Sequence, residues 1–153
     1  MCISLADINM NNLSEYTDLE KKNDLSYFMS RTRPNNYEFK SHATLFWKYI
    51  FWENIAIGAL WIEKDNEEST VSALGIFISD GGNQCKGIGS AAIEMAISQA
   101  NEKMNFTHVE LNVRDTNIRA IRCYEKCGFK EISRFNKDYL NEIVEVIVMR
   151  RAL

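Results

Sequence analysis

A chain of 153 residues, 46% apolar and 25% charged, is long enough to bury a core as one domain and too apolar to stay disordered. Its net charge of −3 speaks against a nucleic-acid binder, whose footprint is a basic face, yet leaves room for a local phosphate pocket or an acidic groove for a cation. The most apolar run, Ile55–Ile62, is far too short to span a bilayer, and no N-terminal stretch joins a basic start, an apolar centre and a small-residue cleavage site. The expectation is a cytoplasmic protein that meets neither membrane nor nucleic acid. Four cysteines, at 2, 85, 123 and 127, follow no disulfide framework. Cys123 and Cys127 lie one helical turn apart with no histidine nearby, so free thiols and no metal are expected.

In chain order, Cys2–Ile8 alternates as a strand. Asn11–Arg33 carries apolar points at Leu13, Tyr16, Leu19, Leu25 and Phe28, which predicts one or two amphipathic helices broken near Asn23 and closed by Pro34. Leu45–Phe51 and Ile55–Glu63 form a hairpin turning at Glu53-Asn54, with Gly58 marking a bulge or a close backbone approach. After the charged turn Asp65–Ser69 comes an apolar strand from Val71 to Ile78. The turn Asp80-Gly81-Gly82-Asn83, a glycine loop and a helix from Gly89 to about Lys103 follow it, with Asn105 ending the helix. His108–Val113 alternates as a strand and completes a parallel unit with the strand before the helix. Asp115-Thr116-Asn117 offers caps for a second helix, Ile118–Lys126, which Cys127-Gly128 ends. Ile132–Phe135 and Ile143–Arg150 read as two last, antiparallel strands.

The stretch Val71–Gly89 organises the chain: strand, glycine loop and helix N-terminus together make a phosphate cradle. Glycines 87 and 89 let a backbone approach a ligand, and the first N–H groups of the helix favour an anion. Gln84 and Lys86 add a polar donor and a positive charge. On the second helix, Asn117 and Tyr124 share a stripe, roughly 10 Å apart along the axis, and could follow an extended ligand to its reactive tip. A helix cap and a core aromatic account for the same two residues.

The motif Gln84-Cys85-Lys86-Gly87-Ile88-Gly89 resembles the Gln/Arg-x-x-Gly-x-Gly/Ala loop of the GNAT acetyltransferase superfamily. Asn117-x-x-Ala120-x-x-x-Tyr124-x-Lys126-x-Gly128-Phe129 is similar to that family's second signature, and its spacing fits. The resemblance spans about residues 71–135 and leans toward the ribosomal-protein, polyamine and drug N-acetyltransferases. It implies an α/β (α+β) fold: a mixed, mostly antiparallel sheet of about 6–7 strands with a central splayed parallel pair, flanked by about four helices. It implies acetyl-CoA as co-substrate, its pyrophosphate held by backbone N–H groups of Gln84, Cys85, Lys86, Gly87, Ile88, Gly89 and Ser90. The strand at Phe77, Ile78 and Ser79 would pair with the pantetheine arm, Asn117 would bond the arm from the other side, and Tyr124 would stand beside the sulfur.

The implied chemistry is direct attack of an amine on a thioester. A strand N–H near Ile78 would steady the oxyanion, and the Tyr124 phenol would protonate a thiolate whose pKa is about 8.5. Cys85, in the pyrophosphate loop, is no nucleophile. For the general base the residues leave Glu110, Asp115 and His108 open. The acceptor is expected to be a primary amine, on a polyamine, an aminoglycoside or a protein N-terminus. Its pocket would form from Asn11–Arg33, Leu45–Glu63 and Asn136–Asn141, with Tyr37, Phe46, Trp47, Trp52 and Trp61 as candidate lining and Glu15, Asp18, Glu20, Asp24 and Glu38 as candidate acids. Two alternatives stand beside this: a Rossmann-type dinucleotide binder, from Gly87-x-Gly89-x-x-Ala92, and a non-catalytic acyl-CoA sensor. An exposed final strand, Ile143–Arg150, would let two copies pair as a homodimer.

Overall fold

Seven stretches rich in β-branched and aromatic residues pair into one sheet in the computed structural model, which describes residues 2–22, 29–79 and 87–153. Its strands are β1 (Ile3–Asp7), β2 (Leu45–Trp52), β3 (Ile55–Glu63), β4 (Val71–Ile78), β5 (His108–Arg114), β6 (Lys130–Tyr139) and β7 (Glu142–Ala152). The helices are α1 (Leu13–Lys22), α2 (Ile88–Met104) and α3 (Ile118–Lys126), with a 3₁₀ turn at Tyr37–Phe39. The sheet order is β1-β2-β3-β4-β5-β7-β6, and every neighbouring pair is antiparallel except β4 and β5.

Period-two alternation sorts the side chains onto two faces. On one face, Ile50, Leu60, Ile62, Leu74, Val109, Leu111, Val113, Ile147 and Met149 pack against the small-residue stripe Ala92, Ala96 and Ala100 of α2. On the other, Trp47, Tyr49, Ala59, Trp61 and Phe77 form an aromatic layer under Tyr16 and Leu19 of α1. The ring of Trp61 lies so close over Gly75 that a Cβ there would sit 2.1 Å from it.

Local chemistry fixes the turns. Glu53-Asn54 and Leu140-Asn141 both take positive φ at two successive residues, the geometry that matches strand twist in two-residue hairpins. Gly58 answers both sequence readings: the β2–β3 register slips beside it, and a Cβ would fall 2.1 Å from the Phe77 carbonyl oxygen. The buried Lys64 donates to the Met104 carbonyl (2.5 Å) and the Glu67 carbonyl (2.8 Å), closing the C-terminal end of α2. Arg151 of β7 ties Glu94 of α2 (2.6 Å) to the Cys127 carbonyl at the end of α3 (3.0 Å).

Three expectations are corrected. In Asn11–Arg33 the one described helix ends at Lys22; residues 29–33 are not helical, and Asn23–Phe28 lie outside the described residues. Arg33, before Pro34, turns back to Glu20 (2.7 Å). Three α-helices flank the sheet among the described residues, beside the about four expected. The last hairpin runs longer than its apolar centres, because exposed polar residues pair there too. The final strand β7 lies between β5 and β6, so the free edge belongs to β6.

Candidate active site

The parallel pair is short. Val71, Ser72 and Ala73 oppose His108, Val109 and Glu110, and beyond that rung the strands part. β4 stays paired with β3 out to Ile78, and β5 with β7 out to Arg114, so each strand is held on its outer side while a wedge opens between them. The Ser79 N–H is spent on the Ile57 carbonyl of β3 (2.6 Å). Since successive N–H groups on a strand alternate sides, those of Ile76 and Ile78 are directed to the wedge. Ser79 therefore adds no N–H there. The Phe77 side chain points away, into the aromatic layer, and the Ile78 side chain points toward α2.

At the open end of the wedge stands the N-terminus of α2. Gly87 is its N-cap at φ 77, a conformation that disfavours any Cβ, and it provides no side-chain cap. The first intrahelical bond runs from the Ala91 N–H to the Gly87 carbonyl (3.1 Å), so helix geometry leaves the N–H groups of Gly87, Ile88, Gly89 and Ser90 without intrahelical acceptors. Ile88 buries its side chain in the core and contributes only backbone. At Gly89 a Cβ would lie 3.4 Å from Cys123 Sγ and 3.5 Å from Ile78 Cδ1, which puts β4, α2 and α3 around one small space. Gln84, Cys85 and Lys86, and the turn Asp80–Asn83, lie outside the described residues.

The other wall is α3, whose sequence makes it amphipathic. Asn117 is its N-cap, the side-chain oxygen accepting from the Ala120 N–H (3.3 Å), so the cap reading holds and the amide nitrogen remains for other contacts. Tyr124 is half-buried, its ring 6.1 Å from Phe129 and edge-on to it. Burial first, then the neighbouring Cys123 and Cys127 thiols, push the phenol well above its ordinary value, so it stays protonated at neutral pH. Its hydroxyl has no hydrogen-bond partner among the described residues. Cys123, given no role by its spacing, meets Ser90 Oγ at 3.4 Å across the α2–α3 contact. Burial raises the Cys127 thiol, leaving it unreactive.

Polar residues of β5 face the aromatic side of the sheet. Glu110, at the last paired rung, holds Arg150 at 3.0 Å. Asn112 is exposed beyond it, and the buried Arg114 meets Ser30 Oγ (3.3 Å) and stacks 4.6 Å from the Tyr139 ring. That stacking brings the Asn136–Asn141 segment to the mouth of the wedge. The alternation of HVELNV put Asn112 on this face, whereas Arg114 lies one residue past the strand expected from the sequence and was missed. His108, at the far end of β5, meets Thr107 Oγ1 (2.9 Å), away from the wedge; Asp115 gives its N–H to the Glu145 carbonyl. Among the aromatics, Tyr37, Trp47 and Trp61 share this face, whereas Phe46 and Trp52 pack on the opposite one. Of the acids, Glu20 is spent on Arg33 and Thr32, Glu15, Asp18 and Glu38 are exposed, and Asp24 lies outside the described residues.

The model of the acetyltransferase (GNAT) family matches residues 10–129, most of the chain and both walls of the wedge. The chain belongs to the acetyltransferase (GNAT) family. With that membership its reading as an N-acetyltransferase stands, and the doubly wound dinucleotide binder is overturned by a sheet with a single parallel pair. Solved structures share the GNAT fold at low identity. The ribosomal L7/L12 α-N-protein acetyltransferase RimL, in complex with coenzyme A, superposes with a TM-score of 0.82 at 13% identity, covering 99% of this chain and 94% of that one. A GNAT-family acetyltransferase from Streptococcus pneumoniae gives 0.80 at 18%, covering 99% of each chain. Spermidine N-acetyltransferase from Vibrio cholerae, in complex with CoA and spermine, gives 0.78 at 18%, covering 98% and 95%. No curated protein matches the sequence.

Proposed function

We propose that this chain transfers an acetyl group from acetyl-CoA to a primary amine, on a small molecule or a peptide, as a cytoplasmic GNAT enzyme of one domain. The observation that carries the reading is the wedge past the Ala73–Glu110 rung, with an uncapped helix N-terminus on one wall and Tyr124 on the other. Acetyl-CoA fits this arrangement: an anionic pyrophosphate matches the N–H groups of Gly87 to Ser90, and an amide-bearing arm matches strand backbone at Ile76. Asn117, through its amide nitrogen, would hold the arm from α3. Bound there, acetyl-CoA supplies the thioester.

The chain's own groups then divide the work. A wedge-facing N–H of β4 steadies the oxygen as the amine adds. Glu110, at the apex on the acceptor face and 3.0 Å from Arg150, takes the proton the amine must lose. The N–C bond forms, the C–S bond breaks, and Tyr124 meets the departing sulfur. So weak an acid gives up its proton reluctantly to a thiolate near pKa 8.5, and its contribution is a hydrogen bond to the sulfur as charge grows there, the proton following as the thiol leaves. Coenzyme A complexes of GNAT-fold proteins that act on spermidine and on a ribosomal protein support the class of reaction and both kinds of acceptor.

Calorimetry with acetyl-CoA, on the wild type and on Gly89→Trp, tests the cradle, and thiol release against a panel of polyamines, aminoglycosides and peptides tests turnover. Binding at micromolar affinity by the wild type, lost in a variant that remains folded, is the expected result. Binding without thiol release from any amine would favour the acyl-CoA sensor. No binding would sink the assignment.

A further inference from the structure

Among the described residues, no strand covers the end of the sheet opposite β1. β6 pairs with β7 on one side only, its residues Lys130–Asp138 are exposed, and large apolar side chains collect around it: Ile132 is 50% exposed, Leu140 73% and Ile143 74%. Beside it a groove of about 470 Å³, floored by Phe129, Ile147 and Met149, opens between Lys130, Glu131 and α3. A bulge at Ile132 breaks the first part of the edge, where the pairing with β7 jumps from Glu131 to Ser133, but from Ser133 to Tyr139 the strand is regular. An unpaired, regular strand edge is a template for another strand.

We propose that this edge joins a second copy of the chain, β6 to β6, as a two-fold antiparallel dimer in which Asn136 faces Asn136 of the other copy. The register follows from symmetry. In an antiparallel ladder directly opposed residues must both turn their N–H and C=O groups toward the partner or both away, so a strand pairing with its own copy must centre on a residue, never between two. Centring on Arg134 or Lys137 sets like charges face to face. Centring on Phe135 leaves Ile132 against Asp138 and pairs no opposite charges. Centring on Asn136 sets Arg134 opposite Asp138 and Phe135 opposite Lys137, twice each by symmetry, with a neutral amide pair at the axis. Arg134 keeps its own Glu131 (2.8 Å) and Glu145 (3.0 Å) in this arrangement. The same register brings the hairpin tip of each copy, with Leu140, alongside Ile132 of the other at the mouth of the groove. Leu140 and Ile132, two of the exposed apolar groups of this end of the sheet, thus cover one another.

Residue 136 facing itself gives a test that does not depend on the enzyme's substrates. Sedimentation equilibrium of the full chain should return about twice the mass of one copy. Asn136→Lys and Asn136→Asp, each placing like charges on the axis of an exposed strand, should each raise the dimer's dissociation constant about tenfold or more, with the circular dichroism of each unchanged. Mixing the two variants should restore a dimer, now of one lysine and one aspartate chain. A monomeric wild type overturns the proposal. So do single variants that dimerise as well as the wild type, and so does a mixture that stays monomeric.

Discussion

At the residue scale the site rests on a few side chains whose neighbours define what each can do. Tyr124 is held protonated by burial, so its hydroxyl is a donor throughout the neutral range. Removing that hydroxyl while keeping the ring leaves the Phe129 contact in place. Tyr124→Phe should therefore bind acetyl-CoA as the wild type does and lose about a hundredfold in kcat, which steady-state kinetics with a competent amine would show. A fall in acetyl-CoA affinity with kcat intact would instead give the ring a binding role. Glu110 is argued from position, at the apex of the wedge on the acceptor face. Glu110→Gln keeps a hydrogen-bonding partner for Arg150 and removes the carboxylate, so kcat should fall about a hundredfold with acetyl-CoA binding unchanged. An unchanged kcat would pass the proton-accepting role to water or to another group. Both residues were visible in the sequence, Tyr124 through its spacing from Asn117 and Glu110 through its alternation with Leu111. What spacing could not give was their surroundings: the Arg150 partner of Glu110 comes from forty residues away in the chain, across the β5–β7 ladder.

At the element scale, the wedge exists because β4 and β5 are each better held by their outer neighbours than by one another. α2 is the strut that keeps its N-terminus at the open end, and both its ends show the chemistry of that task. The N-terminal end is left uncapped at Gly87, while the C-terminal end is closed by Lys64, a buried cation on the Met104 carbonyl where the helix dipole is negative. Lys64→Met keeps the length of the side chain and orphans those carbonyls. It should lower stability by about 1–3 kcal/mol, read as a shift of the denaturation midpoint with unchanged slope. A variant as stable as the wild type would show that water or the chain end replaces the ammonium. Boundaries of elements with strong local signals were legible to within a residue: Ile55–Glu63 and Ile118–Lys126 are as their alternation and their caps require. β6 was legible only at its apolar centre, because an exposed edge strand has no face to bury and hence no period to read. The order of the last two strands was not legible either. Nothing in the alternation of Ile143–Arg150 says that it will insert between β5 and β6 rather than lie outside them.

At the scale of the whole molecule, the two faces of the sheet differ in kind, and this has a consequence for stability. The α2 face is mostly aliphatic, but the α1 face is built largely from phenols and indoles, and its phenols are stitched to backbone: the Tyr49 hydroxyl donates to the Asn12 carbonyl (2.6 Å) and the Tyr16 hydroxyl to the Thr32 carbonyl. Burial raises both groups, Tyr49 to about 12 and Tyr16 further, and a phenolate would also lose its bond, since it has no proton to donate. The sign follows from linkage. A group whose pKa is higher folded than unfolded holds more protons in the folded state, so its stabilisation is complete below the unfolded value near 10 and drains away as pH climbs above it. Each of the two phenols removes up to about 1.4 kcal/mol per pH unit once the unfolded chain begins to ionise. Unfolding free energy should thus be flat on this account through the neutral range and fall steeply beyond pH 10. The loss should begin with α1 and the strand faces beneath it, because both phenols bond to the segments that flank that helix. Chemical denaturation at several alkaline pH values, followed by phenolate absorbance, would read the slope. Replacing Tyr49 by Phe should make it shallower by about one proton. A slope equal in the wild type and the variant would mean that Tyr49 ionises in the folded chain as readily as in the unfolded one, and that the aromatic face is open to solvent.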